Sequence, residues 1–189
     1  MHPILQLAKT ICEDNPQLKN FCQFSTTLKS NYLKPTTTIG SSLLRKSSFK
    51  GNKNTFPMID AIRKYVSKAN WRQTYSISEV GEDFVNRHCY FELIGPNGHF
   101  YHDKIRAFIC YWGEHLKYKW HSHEAEELYY ILGGKALFKT KTKSKVLNAN
   151  ETQFHKSWQS HSMETFEDPL LAFILWRGNG LDQLARIDD

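Results

Sequence analysis

The residues best suited to chemistry form one short run, Trp120-His121-Ser122-His123-Glu124-Ala125-Glu126-Glu127-Leu128-Tyr129-Tyr130. Side chains of an extended chain alternate between faces, so His121 and His123 point the same way, and Glu127 and Tyr129 share a face further along. Neutral imidazoles beside a carboxylate make a mixed nitrogen and oxygen donor set that suits Zn, Fe, Mn, Co or Ni. A third imidazole stands 38 residues after His123, at His161 in Ser157-Trp158-Gln159-Ser160-His161-Ser162-Met163, shortly before an apolar run. That separation leaves room for a hairpin, a further strand and a return that sets His161 opposite the first pair. The expectation is one divalent transition metal held by His121, His123, Glu127 and His161. The competing reading makes these the exposed polar residues of an edge strand. It leaves Glu127 at the head of the apolar stretch Leu128 to Leu132, where an unpaired carboxylate is costly to bury.

The remaining histidines, His2, His88, His99, His102, His115 and His155, fall outside this constellation. His155 is the one to watch for a supporting role, since it lies six residues before His161. Cys12, Cys22, Cys89 and Cys110 show no CxxC spacing and read as buried thiols of a reducing compartment.

The elements that must position these residues are legible in the spacing. Apolar residues recur three and four apart from Pro3 to about Leu33, with Asn15-Pro16 as a helix cap and first turn, so two short helices are predicted there. The Thr-, Ser-, Lys- and Gly-rich stretch Lys34 to Asn54 reads as a loop, and Pro57 to Ala69 returns to helical spacing. Strands are predicted at Tyr90 to Ile94, Ile105 to Trp112, Glu127 to Leu132, Lys135 to Thr140, Ser144 to Leu147 and Leu171 to Trp176. Gly133-Gly134 is expected to close a two-residue hairpin pairing Tyr129–Leu132 with Lys135–Phe138.

Composition excludes other classes. No stretch approaches the ~18 apolar residues of a membrane helix, and the first residues lack the pattern of a signal peptide, so a cytoplasmic location is expected. The net charge of +6 comes from dispersed lysines and arginines without interleaved aromatics, which argues against nucleic acid as a partner. Lys139, Lys141 and Lys143 alternate with threonines, as on the solvated face of a strand.

The His-x-His-x-x-x-Glu run with its glycine pair, followed by the distant His161, resembles the two motifs of the cupin superfamily. In detail Tyr118 to Ala136, Trp158 to Thr165 and Pro169 to Gly178 resemble the cupin-type bacterial dimethylsulfoniopropionate lyases, over roughly Phe91 to Leu181. The resemblance implies a mainly β fold, a cupin double-stranded β-helix or jelly-roll barrel over 71–189, behind an N-terminal helical segment over 1–70. It implies His121, His123, Glu127 and His161 as ligands of one metal, Tyr129 at or beside it, and Tyr118 as a second pocket tyrosine. The implied reaction is β-elimination of dimethylsulfoniopropionate to dimethyl sulfide and acrylate, with Tyr118 or Tyr129 as base. Trp158 and Trp176 are the candidate aromatic walls for the cationic sulfonium, core packing being the alternative for each; Tyr130 reads as core. The same ligands also serve an Fe(II) dioxygenase, a lyase for another small carboxylate, or a metal-dependent sensor barrel. Cupins often pair through exposed strands, which allows a homodimer.

Overall fold

The computed structural model describes residues 1–23 and 27–188. Its helices are α1 (His2–Asp14), α2 (Pro16–Phe21), α3 (Ile39–Lys46), α4 (Phe56–Tyr65), α5 (Ile77–Val80) and α6 (Glu82–Arg87). Asn15 caps α2 as expected, its side chain accepting from the backbone N–H of Gln17 and Leu18. Helix α3 lies inside the stretch read as a loop. Thr38 and Ser41 cap it reciprocally, and Leu44 is buried. Gly40, Ser41 and Ser42 in its first half weaken the local helical signal, so packing decides it.

The strands are β1 (His88–Ile94), β2 (Ile105–Trp112), β3 (Lys117–Ser122), β4 (Glu126–Gly133) and β5 (Lys135–Thr140). They continue with β6 (Ser144–Asn148), β7 (Thr152–His155), β8 (His161–Thr165), β9 (Leu170–Arg177) and β10 (Arg186–Ile187). Two five-stranded sheets result, ordered β1-β2-β9-β4-β7 and β10-β3-β8-β5-β6. All named pairings are antiparallel. From β3 onward the chain passes from one sheet to the other at nearly every connection, which is the jelly-roll topology of a cupin.

Four strands of the first sheet, β1, β2, β4 and β9, are buried on both faces, which explains why they read as continuous apolar runs. Leu128, Tyr130 and Leu132 of β4 and Leu171, Phe173 and Leu175 of β9 pack outward against α1 and α4 residues such as Ile4, Ala8, Met58 and Ile62. Their neighbours Tyr129, Ile131, Ala172, Ile174 and Trp176 point into the barrel. Full burial of one such side chain contributes ~1.5–3 kcal/mol, so the helical segment anchors the sheet that carries Glu127.

Two sequence expectations are corrected here. Gly133-Gly134 is no hairpin, because β4 pairs with β7 and β9 while β5 pairs with β6 and β8. The glycines serve a crossing between sheets instead. Gly134 has φ +82°, and a Cβ there would lie 2.1 Å from the Pro169 carbonyl oxygen. The lysine alternation likewise does not run along one strand, since β5 ends at Thr140 and the Thr140 N–H donates to the Lys143 carbonyl to close the turn into β6.

Candidate metal centre

The inner face of β4 presents Glu127 toward the strands of the opposite sheet. His161, the first residue of β8, pairs directly with His121 of β3. His123 follows the end of β3. The carboxylate therefore reaches the imidazoles from across the barrel. His161 lies beside His121 where it was expected to lie opposite.

Three donor atoms converge. Glu127 Oε2 is 3.3 Å from His123 Nε2 and 3.1 Å from His161 Nε2. All three atoms are buried, and none has a hydrogen-bond partner among the described residues. Buried polar atoms are otherwise almost always paired, so a converging trio without partners is what a cation-binding group looks like. Among the described residues, His123, Glu127 and His161 form the group that could hold an ion. The other ring nitrogens are fixed from behind. Nδ1 of His123 lies 2.8 Å from the Ala125 carbonyl, that of His161 2.7 Å from Gln159, and that of His121 2.8 Å from Lys119. A carbonyl only accepts, so each Nδ1 carries the hydrogen and each neutral ring offers Nε2 as a ligand.

Glu127 is oriented by Trp176, whose indole Nε1 donates to Oε1 at 2.8 Å; the same indole stacks on His123 with centroids 4.2 Å apart. Burial alone would raise the Glu127 pKa, but His123 and His161 hold it well below the ordinary carboxylate range. Burial alone would lower His123, yet the charge of Glu127 outweighs it and raises the pKa. Proton and cation compete for the same imidazole nitrogen, so cation affinity rises with pH.

His121 stands at the edge of the group. Its ring is 4.0 Å from that of His161 and stacks on Tyr118 at 3.7 Å. Burial, with His161 beside it, pushes its pKa well below normal. Of the four predicted ligands, three converge on one point and His121 lies next to them.

A cavity of about 50 Å³ adjoins the group, with Glu127, Tyr118, Tyr129, Trp112, Trp176 and His88 in its wall. At about 10–15 Å³ per water it accommodates roughly three to five waters, the scale of a small molecule. Burial pushes both Tyr118 and Tyr129 well above the ordinary phenol pKa, and Glu127 adds to the effect on Tyr129. Trp176 lines this cavity, but Trp158 does not. Trp158 is 46% exposed and lies under the Arg186 guanidinium at 4.6 Å, so neither the pocket nor the core reading holds for it. Tyr130 is buried on the outer side of β4, its hydroxyl donating to Asn150.

His155 is fully buried and stacks on His161 at 3.9 Å. Sequence reasoning missed Tyr75, whose hydroxyl lies 2.6 Å from that of Tyr118, and His88. His88 donates from Nδ1 to the Tyr111 carbonyl at 2.9 Å and stacks on Trp112; burial pushes its pKa down to about 4. Neither residue carries a local signal: His88 reaches the cavity wall only through the pairing of β1 with β2, and Tyr75 meets Tyr118 from an irregular loop. All four cysteines are free and buried, as expected. Among the described residues no helix is long and apolar enough to cross a membrane.

Comparison with known proteins bears directly on this site. A curated relative, dimethylsulfoniopropionate lyase DddQ of Ruegeria pomeroyi, is 38% identical over 112 residues, 59% of this chain and 56% of the relative. The match thus spans about half the length of that protein. A crystal structure described among those of the DMSP lyases RdDddP and RnDddQII superposes with TM-score 0.96 at 33% identity, covering 100% of this chain and 97% of the other. The crystal structure of DddQ from Ruegeria pomeroyi DSS-3 gives TM-score 0.92 at 29% identity, covering 97% and 93%. The family model for dimethylsulfoniopropionate lyase matches residues 29–172, a span that contains every converging ligand together with Tyr118 and Tyr129, and the chain belongs to that family.

Proposed function

We propose that the protein is a metal-dependent carbon–sulfur lyase that cleaves dimethylsulfoniopropionate to dimethyl sulfide and acrylate. The observation that carries this reading is the buried convergence of His123 Nε2, His161 Nε2 and Glu127 Oε2 beside a small cavity walled by Tyr118 and Tyr129. One divalent transition metal, among Zn, Fe, Mn, Co or Ni, is the fitting cofactor, held by these three groups with His121 adjacent. Bound there, it supplies Lewis-acid stabilisation for the negative charge that develops at a substrate carboxylate.

The residues supply the rest. A tyrosinate accepts the proton from the carbon next to the carboxylate. The released pair forms the new C=C bond, the C–S bond breaks, and dimethyl sulfide leaves with the bonding electrons. Tyr118 is the first choice for the base and Tyr129, two residues from Glu127, the second. Reaching half-ionisation at neutral pH needs a pKa drop of ~3 units, roughly 4 kcal/mol, and burial opposes it, so the base must sit near positive charge. Burial, with Tyr75 beside it and hydrogen-bonded to it at 2.6 Å, holds the Tyr118 pKa up, so the lowering has to come from the cation. The Trp176 face, with Trp112, offers an aromatic wall to the sulfonium.

The test is headspace dimethyl sulfide from purified protein loaded separately with each of the five metals and given dimethylsulfoniopropionate. Release with at least one metal is expected, and silence with all five refutes the reading. Tyr118→Phe is expected to lower turnover at least ~100-fold, the scale of general acid–base catalysis, with metal content unchanged. Loss of metal in that variant refutes the assigned role.

A further inference from the structure

The last strand ties together the two segments that bear the histidines. β10 pairs with β3, Arg186 opposite Ser122 and Ile187 opposite His121. The Asp188 N–H donates to the Trp120 carbonyl at 2.8 Å. The Asp188 carboxylate then spans two strands: Ser122 Oγ donates to Oδ1 at 2.7 Å, and Ser160 Oγ donates to Oδ2. Ser122 lies between His121 and His123, and Ser160 immediately precedes His161. Arg186, two residues before Asp188, extends the tie, since it covers the Trp158 ring and the Trp158 backbone N–H donates to the His123 carbonyl at 2.8 Å.

We propose that Asp188 is a positioning residue of the metal centre, its carboxylate setting the spacing between the His123 and His161 segments by accepting from both serine hydroxyls. The inference rests on the metal-binding reading given above. Its physical basis is that Glu127 stands on the other sheet, held separately by Trp176, so the two imidazoles need their own constraint to meet it. Hydrogen bonds to an ionised carboxylate are shorter and about twice as strong as neutral ones. An amide in the same place keeps one acceptor oxygen and must reverse the other bond, its NH2 donating to a serine oxygen, and both bonds lose the carboxylate charge.

The experiment titrates the full, metal-free chain with cobalt(II) in competition with a chromophoric chelator. The cobalt visible spectrum and the unfolding temperature of the metal-free protein are recorded alongside. Asp188→Asn is expected to weaken cobalt binding ~10- to 100-fold, the range for partners that orient metal ligands, and to alter the cobalt bands. Ser122→Ala combined with Ser160→Ala is expected to do the same, and adding Asp188→Asn to that pair to cost nothing more. Unchanged affinity and spectrum in Asp188→Asn overturns the proposal, whatever happens to the unfolding temperature. So does a full additional loss on top of the serine pair, because the carboxylate would then act through its charge alone. Failure of the unmodified protein to bind cobalt, or any of the other four metals, sinks the metal reading itself and is a separate result.

Discussion

Replacing Trp176 with Phe isolates one hydrogen bond at the metal centre. The indole Nε1 donates to Glu127 Oε1 at 2.8 Å, and its ring contacts His123 at 4.2 Å and Phe108 at 5.4 Å. A phenyl ring keeps a face for both contacts and loses the N–H. Glu127 is ionised and buried, and hydrogen bonds to charged groups contribute ~1.5–3 kcal/mol, which corresponds to roughly 10- to 150-fold in an equilibrium constant. The loss divides between two measurable quantities. Whatever the bond contributes equally with and without metal appears as lower stability of the metal-free fold; whatever it contributes by aiming the carboxylate appears as weaker metal binding. Chelator competition and urea unfolding of the metal-free protein measure the two parts, and their sum is expected to reach at least ~1.5 kcal/mol. Metal affinity and metal-free stability both within experimental error of the unmodified protein would refute the argument that this indole orients the ligand.

Two further outcomes follow from the same geometry. His88 has a folded-state pKa of about 4 against ~6.5 unfolded, so between those values the unfolded chain binds the proton and stability falls as pH falls. Linkage gives a loss of about 2 kcal/mol between about pH 7 and pH 5 from this group. Urea unfolding at both pH values should show that the unmodified protein loses this much more than His88→Gln, and equal losses would be fatal to the assignment. Metal at 100 times its dissociation constant should stabilise the fold by about 2.7 kcal/mol, or roughly 5–11 °C in Tm for a chain of this size. A chelator should reverse the shift and His161→Ala should abolish it; an equal shift in His161→Ala would move the metal elsewhere.

The donor types and their local spacing were readable from the chain alone. His121, His123, Glu127 and His161 have no other economical use, and alternation correctly placed Glu127 and Tyr129 on one face of β4. Four strands of the first sheet, β1, β2, β4 and β9, were legible because burial on both faces leaves a continuous apolar signature, whereas the short, partly exposed β7 left none. Partners distant in sequence were decided only by the folded chain. Which sheet each strand joins depends on backbone pairing that leaves no mark in side-chain type, so Gly133-Gly134 looked like a hairpin and was a crossing. The convergence of three ligands with His121 at their edge, the surface position of Trp158, and the link from Tyr75 to Tyr118 all depend on distances between segments far apart in the chain. A periodic pattern records which face a residue takes, because that is local stereochemistry. It holds no record of what the opposite sheet brings to meet that face.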